Sequence, residues 1–266
     1  MRKIIAYPLS IVYYLLFGAT LVIFHVIQWI SLNLFGQDAH KQSVDALCFF
    51  LVLNTYVLGT RYTVTGREKL PANTPLIVAA NHQSWYDITT IGWFLRKIHP
   101  KYVSKIELGK GIPSISYNLR HGGSVLIDRK DGKQSLSAIR QLAEYIETHK
   151  RAAVIFPEGT RSSTGMPGRF AENGLKILCK YAPSAYVVPV TLNNTWKITQ
   201  WGTFPLGIGT RVELIVHDPL PVNGTPFPLL FEKTEQAITG AIHPPSPHTL
   251  RNNIPHHTHT TANDTE

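Results

Sequence analysis

From Ala6 to Gly36 the chain reads AYPLSIVYYLLFGATLVIFHVIQWISLNLFG, without one Asp, Glu, Lys or Arg. A helix needs roughly 20 apolar residues to cross a bilayer, and this run exceeds that length. A secretory leader has an apolar core of only about 7–15 residues followed by a small-residue cleavage site. No such site follows here, so the run is read as a membrane helix. His25, close to Trp29, is read as a packed or interfacial residue within it. A second apolar run, ALCFFLVLNTYVLG at 46–59, is shorter than a standard span. It reads as an interfacial or re-entrant helix, or as the return limb of a hairpin. Residues 1–60 are therefore expected to form an apolar two-helix membrane anchor. Arg2 and Lys3 precede the first run. Positive flanks tend to stay cytoplasmic, which places the following domain on the cytoplasmic face of the cytoplasmic membrane.

From Arg61 onwards the pattern changes. Short apolar runs at 75–80, 123–128, 152–157, 185–192 and 211–216 look like strands, several of them buried on both faces. Helix-like segments at 84–98, 135–150 and 172–182 lie between them, and apolar positions 136, 139, 142, 143 and 146 recur at helical spacing. Strands alternating with helices predict an α/β domain over 61–242, a mixed, largely parallel sheet flanked by helices. The tail 243–266 is poor in apolar residues and rich in Pro, His, Thr and Asn, and is read as disordered.

The net charge of +9 is concentrated in one place. Between Arg96 and Lys180 there are 16 basic and 7 acidic residues, and the rest of the chain carries 10 of each. Such a stretch calls for a polyanionic partner: nucleic acid, anionic headgroups or phosphorylated small molecules. Cys48 and Cys179 have no CxxC spacing, so neither a disulfide framework nor a zinc site is indicated.

Three segments carry chemistry. NHQSWYD (81–87) follows a buried strand, and open α/β sheets place ligand sites at the carboxyl ends of their strands. A neutral His82 there can take a proton, and Asp87 can hold its other ring nitrogen, as in the base-plus-orienter half of a catalytic triad. SWYD equally fits a capping box in which Asp87 merely satisfies the Ser84 amide. These seven residues leave both open. There is no G-x-S-x-G elbow to supply a serine nucleophile, so the hydroxyl that His82 activates belongs to the substrate. The glycines of HGGS (121–124) read as a tight approach to the next strand. FPEGTRS (156–162) places Glu158, Gly159 and Arg161 on a turn after another strand. Arg161 is a forked, permanently charged donor suited to phosphate. Arg129, ending GSVLIDR (123–129), and Lys105, in VSKIEL, add cations at predicted strand ends.

The ordered series NHQSWYD, GSVLIDR, FPEGTRS and VVPV (187–190) resembles the four motifs of the glycerolipid acyltransferases, most closely those acting on lysophosphatidic acid (1-acylglycerol-3-phosphate). The likeness covers roughly residues 61–216. In the second motif Leu126 stands where the family usually has an aromatic residue. The resemblance implies that His82 is the general base and Asp87 its partner. It implies that Arg129, Glu158, Gly159 and Arg161, with Lys105, hold a phosphorylated acceptor. The partners it implies are lysophosphatidic acid, a phospholipid membrane and an acyl thioester, of coenzyme A or acyl-carrier protein, with no metal, no redox cofactor and no nucleic acid. Phosphatidic acid would be the product. The alternatives are a sister enzyme acting on glycerol-3-phosphate or another lysophospholipid, and a non-catalytic lipid-binding membrane protein.

Overall fold

Residues 2–244 are described in the computed structural model; the segment read as a disordered tail lies, from residue 245 onwards, outside the described residues. The long helix α1 spans Arg2–Asn54. Eight strands follow: β1 (Arg61–Thr65), β2 (Leu76–Ala80), β3 (Pro100–Lys105), β4 (Val125–Ile127), β5 (Ala152–Ile155), β6 (Tyr186–Asn193), β7 (Arg211–Val216) and β8 (Leu220–Pro221). Among them lie α2 (Tyr86–Phe94), α3 (Ile115–His121), α4 (Gly132–His149) and α5 (Glu172–Tyr181), with α6 (Phe227–Gly240) last. The sheet runs β1-β7-β6-β2-β5-β3-β4, with β8 beside β6. Strands β6, β2, β5, β3 and β4 are mutually parallel, while β7 is antiparallel to β6 and parallel to β1. The expected mixed, largely parallel sheet flanked by helices is the observed one.

Strand β2 sits at the centre, paired with β5 and β6. Its side chains alternate between two cores, as the pleat requires. Ile77 and Ala79 pack under α4, α5 and α6, while Leu76, Val78 and Ala80 pack with Ile91 and Leu95 around α2. All five residues of the strand are buried, which is why LIVAA reads as an unbroken apolar run. Truncating Ile77 to Ala would remove about 2–5 kcal/mol from a core this tightly closed.

The two apolar runs of the N-terminus are the two helical limbs of α1, which meet at Gly36 with no loop between them. Gly36 alone departs from helical geometry, at φ 81° and ψ −169°. That positive φ suits glycine. The limbs on either side of it pack antiparallel. The Asn54 side-chain amide donates to Thr20 Oγ1 at 2.9 Å, the Phe24 and Phe50 rings lie 5.5 Å apart, and Leu21, Leu47 and Leu51 fill the space between. The first limb also closes the globular domain. Tyr13 packs with Leu58, Ile198, Leu206 and Val212, and Ser10 Oγ accepts the Leu206 N–H at 2.8 Å. His25, read as packed or interfacial, is exposed, with its Nδ1 accepting the Ser114 N–H at 3.2 Å and its ring 5.7 Å from that of Tyr117. The opposite face of this limb, with Ile4, Ile11, Leu15 and Val22, is exposed. By length and composition the stretch Arg2–Leu58 is the one candidate for crossing a membrane among the described residues.

Candidate active site

Five parallel strands point their carboxyl ends at one edge of the sheet. His82 follows β2, Phe156–Arg161 follow β5, Lys105 ends β3, Arg129 follows β4 and Thr195 follows β6. That edge is where an open α/β sheet presents a ligand site. The tie between β2 and β6 is local: the Asn81 side chain donates to Leu192 O at 2.8 Å and accepts the Leu192 N–H at 2.7 Å. The strand end that delivers His82 is therefore fixed on its β6 side.

The His82 ring is held in three directions. Its Nδ1 lies 2.8 Å from Asp87 Oδ2, its face stacks on Phe156 with centroids 4.1 Å apart, and its backbone carbonyl accepts the Ser162 N–H at 2.8 Å. Asp87 Oδ2 also accepts the N–H groups of Gln83 and Ser84 at 2.6 and 2.8 Å. Ser84 Oγ in turn accepts the Tyr86 N–H at 3.1 Å. The capping box and the His–Asp pair, which compete on sequence alone, coexist: one carboxylate oxygen caps the start of α2 and receives the imidazole. With Nδ1 as donor, Nε2 is the ring nitrogen free to accept a proton. It has no partner among the described residues, and the side chain keeps 15% of its surface while Asp87 keeps 0%.

His82 opens into a cleft of about 1160 Å³ that Lys105, Arg129, Gly159 and Arg161 also line. Apolar groups from α1 (Phe17, Leu47, Leu51) and from around α3 (Leu108, Ile112, Leu119) complete it. The Arg161 guanidinium lies 3.9 Å over the Trp85 ring, a stacking that orients the fork while leaving its edge donors free. Burial draws Arg161 down from its ordinary value; Asp87 opposes that and the nearby Arg129 adds to it. Two guanidiniums crowded at one mouth with no carboxylate in ion-pair contact among the described residues form a cradle for an anion. Glu158 faces inward instead. Its oxygens accept the His82 N–H and the Gly168 N–H, each at 2.7 Å, so it ties the loop after β2 to the loop after β5. Burial pushes its carboxyl up and those two N–H groups pull it back. Gly159 turns the chain at φ 65°.

Comparisons with known proteins place the chain in a family. The acyltransferase family model matches residues 61–193, half of the chain. The chain belongs to the acyltransferase family. It is 32% identical to a chloroplastic 1-acyl-sn-glycerol-3-phosphate acyltransferase of Arabidopsis thaliana over 60% of this chain and 44% of that one. With the Saccharomyces cerevisiae 1-acyl-sn-glycerol-3-phosphate acyltransferase it shares 30% over 68% of this chain and 59% of the relative. With that of Pseudomonas aeruginosa it shares 25%, over 78% and 80%. The chain spans about half the length of the first of these curated relatives. A crystal structure of the 1-acyl-sn-glycerophosphate (LPA) acyltransferase from Thermotoga maritima superposes with a TM-score of 0.72 over 90% of this chain and 95% of the other, at 24% identity, which shows a shared fold.

Within this acyltransferase domain several site features were not read from the sequence. Trp85 supports Arg161 from inside the first motif, and the sequence signal was only an aromatic residue between Ser84 and Tyr86. Gln83 reaches across to the loop after β5, its Nε2 donating to Gly165 O at 2.9 Å. Leu126, the departure in the second motif, does not line the cleft. Its Cδ1 lies 2.5 Å from where a Cβ on Gly109 would sit, so it packs against that glycine. Gly123 adopts φ 83° just before β4, in keeping with the tight approach expected of HGGS.

Proposed function

We propose that this acyltransferase-family protein transfers a fatty acyl group from a thioester to the free hydroxyl of lysophosphatidic acid, giving phosphatidic acid. The observation that carries the proposal is His82 Nδ1 at 2.8 Å from a fully buried Asp87, with Nε2 facing a cleft rimmed by Lys105, Arg129 and Arg161. His82 Nε2 takes the hydroxyl proton as the oxygen adds to the thioester carbonyl. The tetrahedral adduct then expels the thiolate, which takes the proton back from His82. Asp87 holds the ring in the Nδ1–H tautomer and stabilises the imidazolium between those two steps. Arg161 and Arg129 bind the acceptor phosphate in a forked, charge-assisted contact, with Lys105 as a further cation and the Gly159 backbone beside it. Glu158 acts on the acceptor through the loop it braces. The donor is an acyl thioester of coenzyme A or of acyl-carrier protein, and neither a metal nor a redox cofactor has a step to perform. The exposed apolar face of α1 seats the enzyme on a phospholipid membrane, with the domain on the cytoplasmic side.

The test is direct. Purified full-length protein is offered lysophosphatidic acid, glycerol-3-phosphate and other lysophospholipids with labelled acyl-CoA and acyl-carrier protein, and the lipids are identified by mass spectrometry. Phosphatidic acid formed from lysophosphatidic acid ahead of every other product is expected. Preference for a different acceptor moves the assignment to a sister activity, and binding without product from any pair makes the protein a lipid-binding one.

A further inference from the structure

Thr195 lies two residues beyond the segment that the family model matches. It follows β6 and starts a short 3-10 turn, Thr195–Thr199, entered through Asn194 at φ 70°. The Asn194 side chain donates to Arg211 O at 2.9 Å and so pins that left-handed residue to β7. The turn aims Thr195 into the interior, where it is fully buried. Its hydroxyl stands 2.5 Å from Asp87 Oδ1 and 3.3 Å from Gln83 Oε1. A threonine hydroxyl has one proton, and the shorter contact to the charged acceptor takes it.

We propose that Thr195 is a positioning residue for the His82–Asp87 pair, donating to the one Asp87 oxygen that nothing else satisfies. The inference rests on the acyl-transfer reading of this site. Among the described residues Oδ2 already receives three donors, the imidazole and the N–H groups of Gln83 and Ser84, whereas Oδ1 receives Thr195 alone. A carboxylate oxygen offers about two in-plane lone-pair sites, so three donors on one oxygen is a crowded arrangement. Without a donor on Oδ1, the buried carboxylate gains by rotating about its Cβ–Cγ bond to share those three donors between both oxygens. That rotation draws Oδ2 out of line with His82 Nδ1. The hydroxyl of Thr195 opposes it.

The turn that carries Thr195 also touches the loop after β5. Its neighbour Trp196 lies against Gly165, where an added Cβ would come within 2.2 Å of Trp196 Nε1. Gly165 O in turn holds the Gln83 amide at 2.9 Å. The Thr195 hydroxyl thus meets Asp87, which holds His82, and Gln83, which holds Gly165 of the loop after β5.

The experiment compares Thr195→Val and Thr195→Ser with the native full-length protein in phospholipid vesicles. Valine keeps the shape and removes the donor; serine restores it. Loss of a hydrogen bond to a charged group predicts a fall in kcat of roughly ten- to a hundredfold for Thr195→Val, with KM for lysophosphatidic acid and for the thioester within about twofold of native. Thr195→Ser should recover most of the loss. Independently of turnover, 15N spectra of histidine-labelled protein, with His82 assigned by its disappearance in His82→Ala, should show the Nδ1–H tautomer in the native protein and a second tautomer or a broadened signal in Thr195→Val. Native kcat and an unchanged His82 signal in Thr195→Val would overturn the inference. So would a kcat loss that merely tracks the folded fraction and is shared by Thr195→Ser. A native protein that acylates no acceptor would overturn the acyl-transfer reading instead, and the 15N comparison would still decide whether Thr195 orients the pair.

Discussion

Replacing Asp87 by Asn separates charge from geometry at this site. The Oδ2 position is faced by three donors, two of them backbone N–H groups that cannot turn away. An asparagine must therefore place its carbonyl oxygen there and its NH₂ group towards Thr195, whose hydroxyl can turn to accept. The cap on α2 and the Nδ1–H tautomer both survive that exchange. What disappears is the negative charge beside the imidazolium, whose ring nitrogen lies 2.8 Å from the carboxylate. Charges about 4 Å apart attract by about 4 kcal/mol at an effective dielectric of about 20. The amide dipole retains part of that, so the transition state loses roughly 2–4 kcal/mol. The corresponding fall in kcat is about 30- to 1000-fold. Initial rates of phosphatidic acid formation would be measured by mass spectrometry at saturating lysophosphatidic acid and acyl-CoA. A thermal-shift midpoint within a few degrees of native would show that the cap is intact. Near-native turnover would refute the reasoning, leaving Asp87 as a helix cap and His82 without an ionic partner.

Three further outcomes are expected. Arg161→Lys, which keeps the charge and loses the fork, should raise KM for lysophosphatidic acid more than KM for the thioester, and should have little effect on an acceptor without phosphate; an equal effect on that uncharged acceptor would place Arg161 in the fold or the thioester site. Gly165→Ala introduces a Cβ within 2.2 Å of Trp196 at a φ of +84°, so its thermal midpoint and its activity should fall together; a native midpoint would mean the loop moves aside freely. Lysines placed at Ile4, Leu15 and Val22, all exposed on α1, should release the protein from vesicles in a sedimentation assay, since a basic residue in an apolar span costs about 2.5–3.5 kcal/mol; unchanged sedimentation would move the membrane contact to another surface.

Much of the domain was legible because burial on both faces leaves a plain mark. LIVAA, AAVI and YVVPVTLN are central strands and read as apolar runs. Strand β1, at the sheet edge, alternates exposed and half-buried residues, and β3, PKYVSK, is mostly half-buried, so neither produced an apolar run. Helix α3 is only 7 residues long and owes its place to α1, through the contacts of Ser114 with Leu21 and His25. The N-terminal runs were legible as apolar, while their union through Gly36 depended on pairings such as Thr20 with Asn54. At the site, the five-residue spacing of His82 and Asp87 left pairing and helix capping both open, the family resemblance favoured the pair, and the structure shows both. Thr195 reaches the same carboxylate from 108 residues away, and no residue type or spacing announces that contact.

The hydrogen bond from the Leu206 N–H to Ser10 Oγ joins residues 196 apart. At synthesis rates of about 5–20 residues per second, roughly 10–40 s separate the emergence of its two ends from the ribosome. Through that interval the first limb of α1 exists without the surface that later covers Leu9, Tyr13 and Phe17. Its polar hydroxyl is already accommodated, since Ser10 donates to Ala6 O at 2.6 Å within the helix. Its apolar residues are not, and a lipid phase is the environment able to shelter them while they wait. If the proposed membrane seating holds, the newborn chain meets the bilayer first and its own domain second. The first limb is covered only once Ile198, Leu206 and Val212 have emerged and folded back onto it.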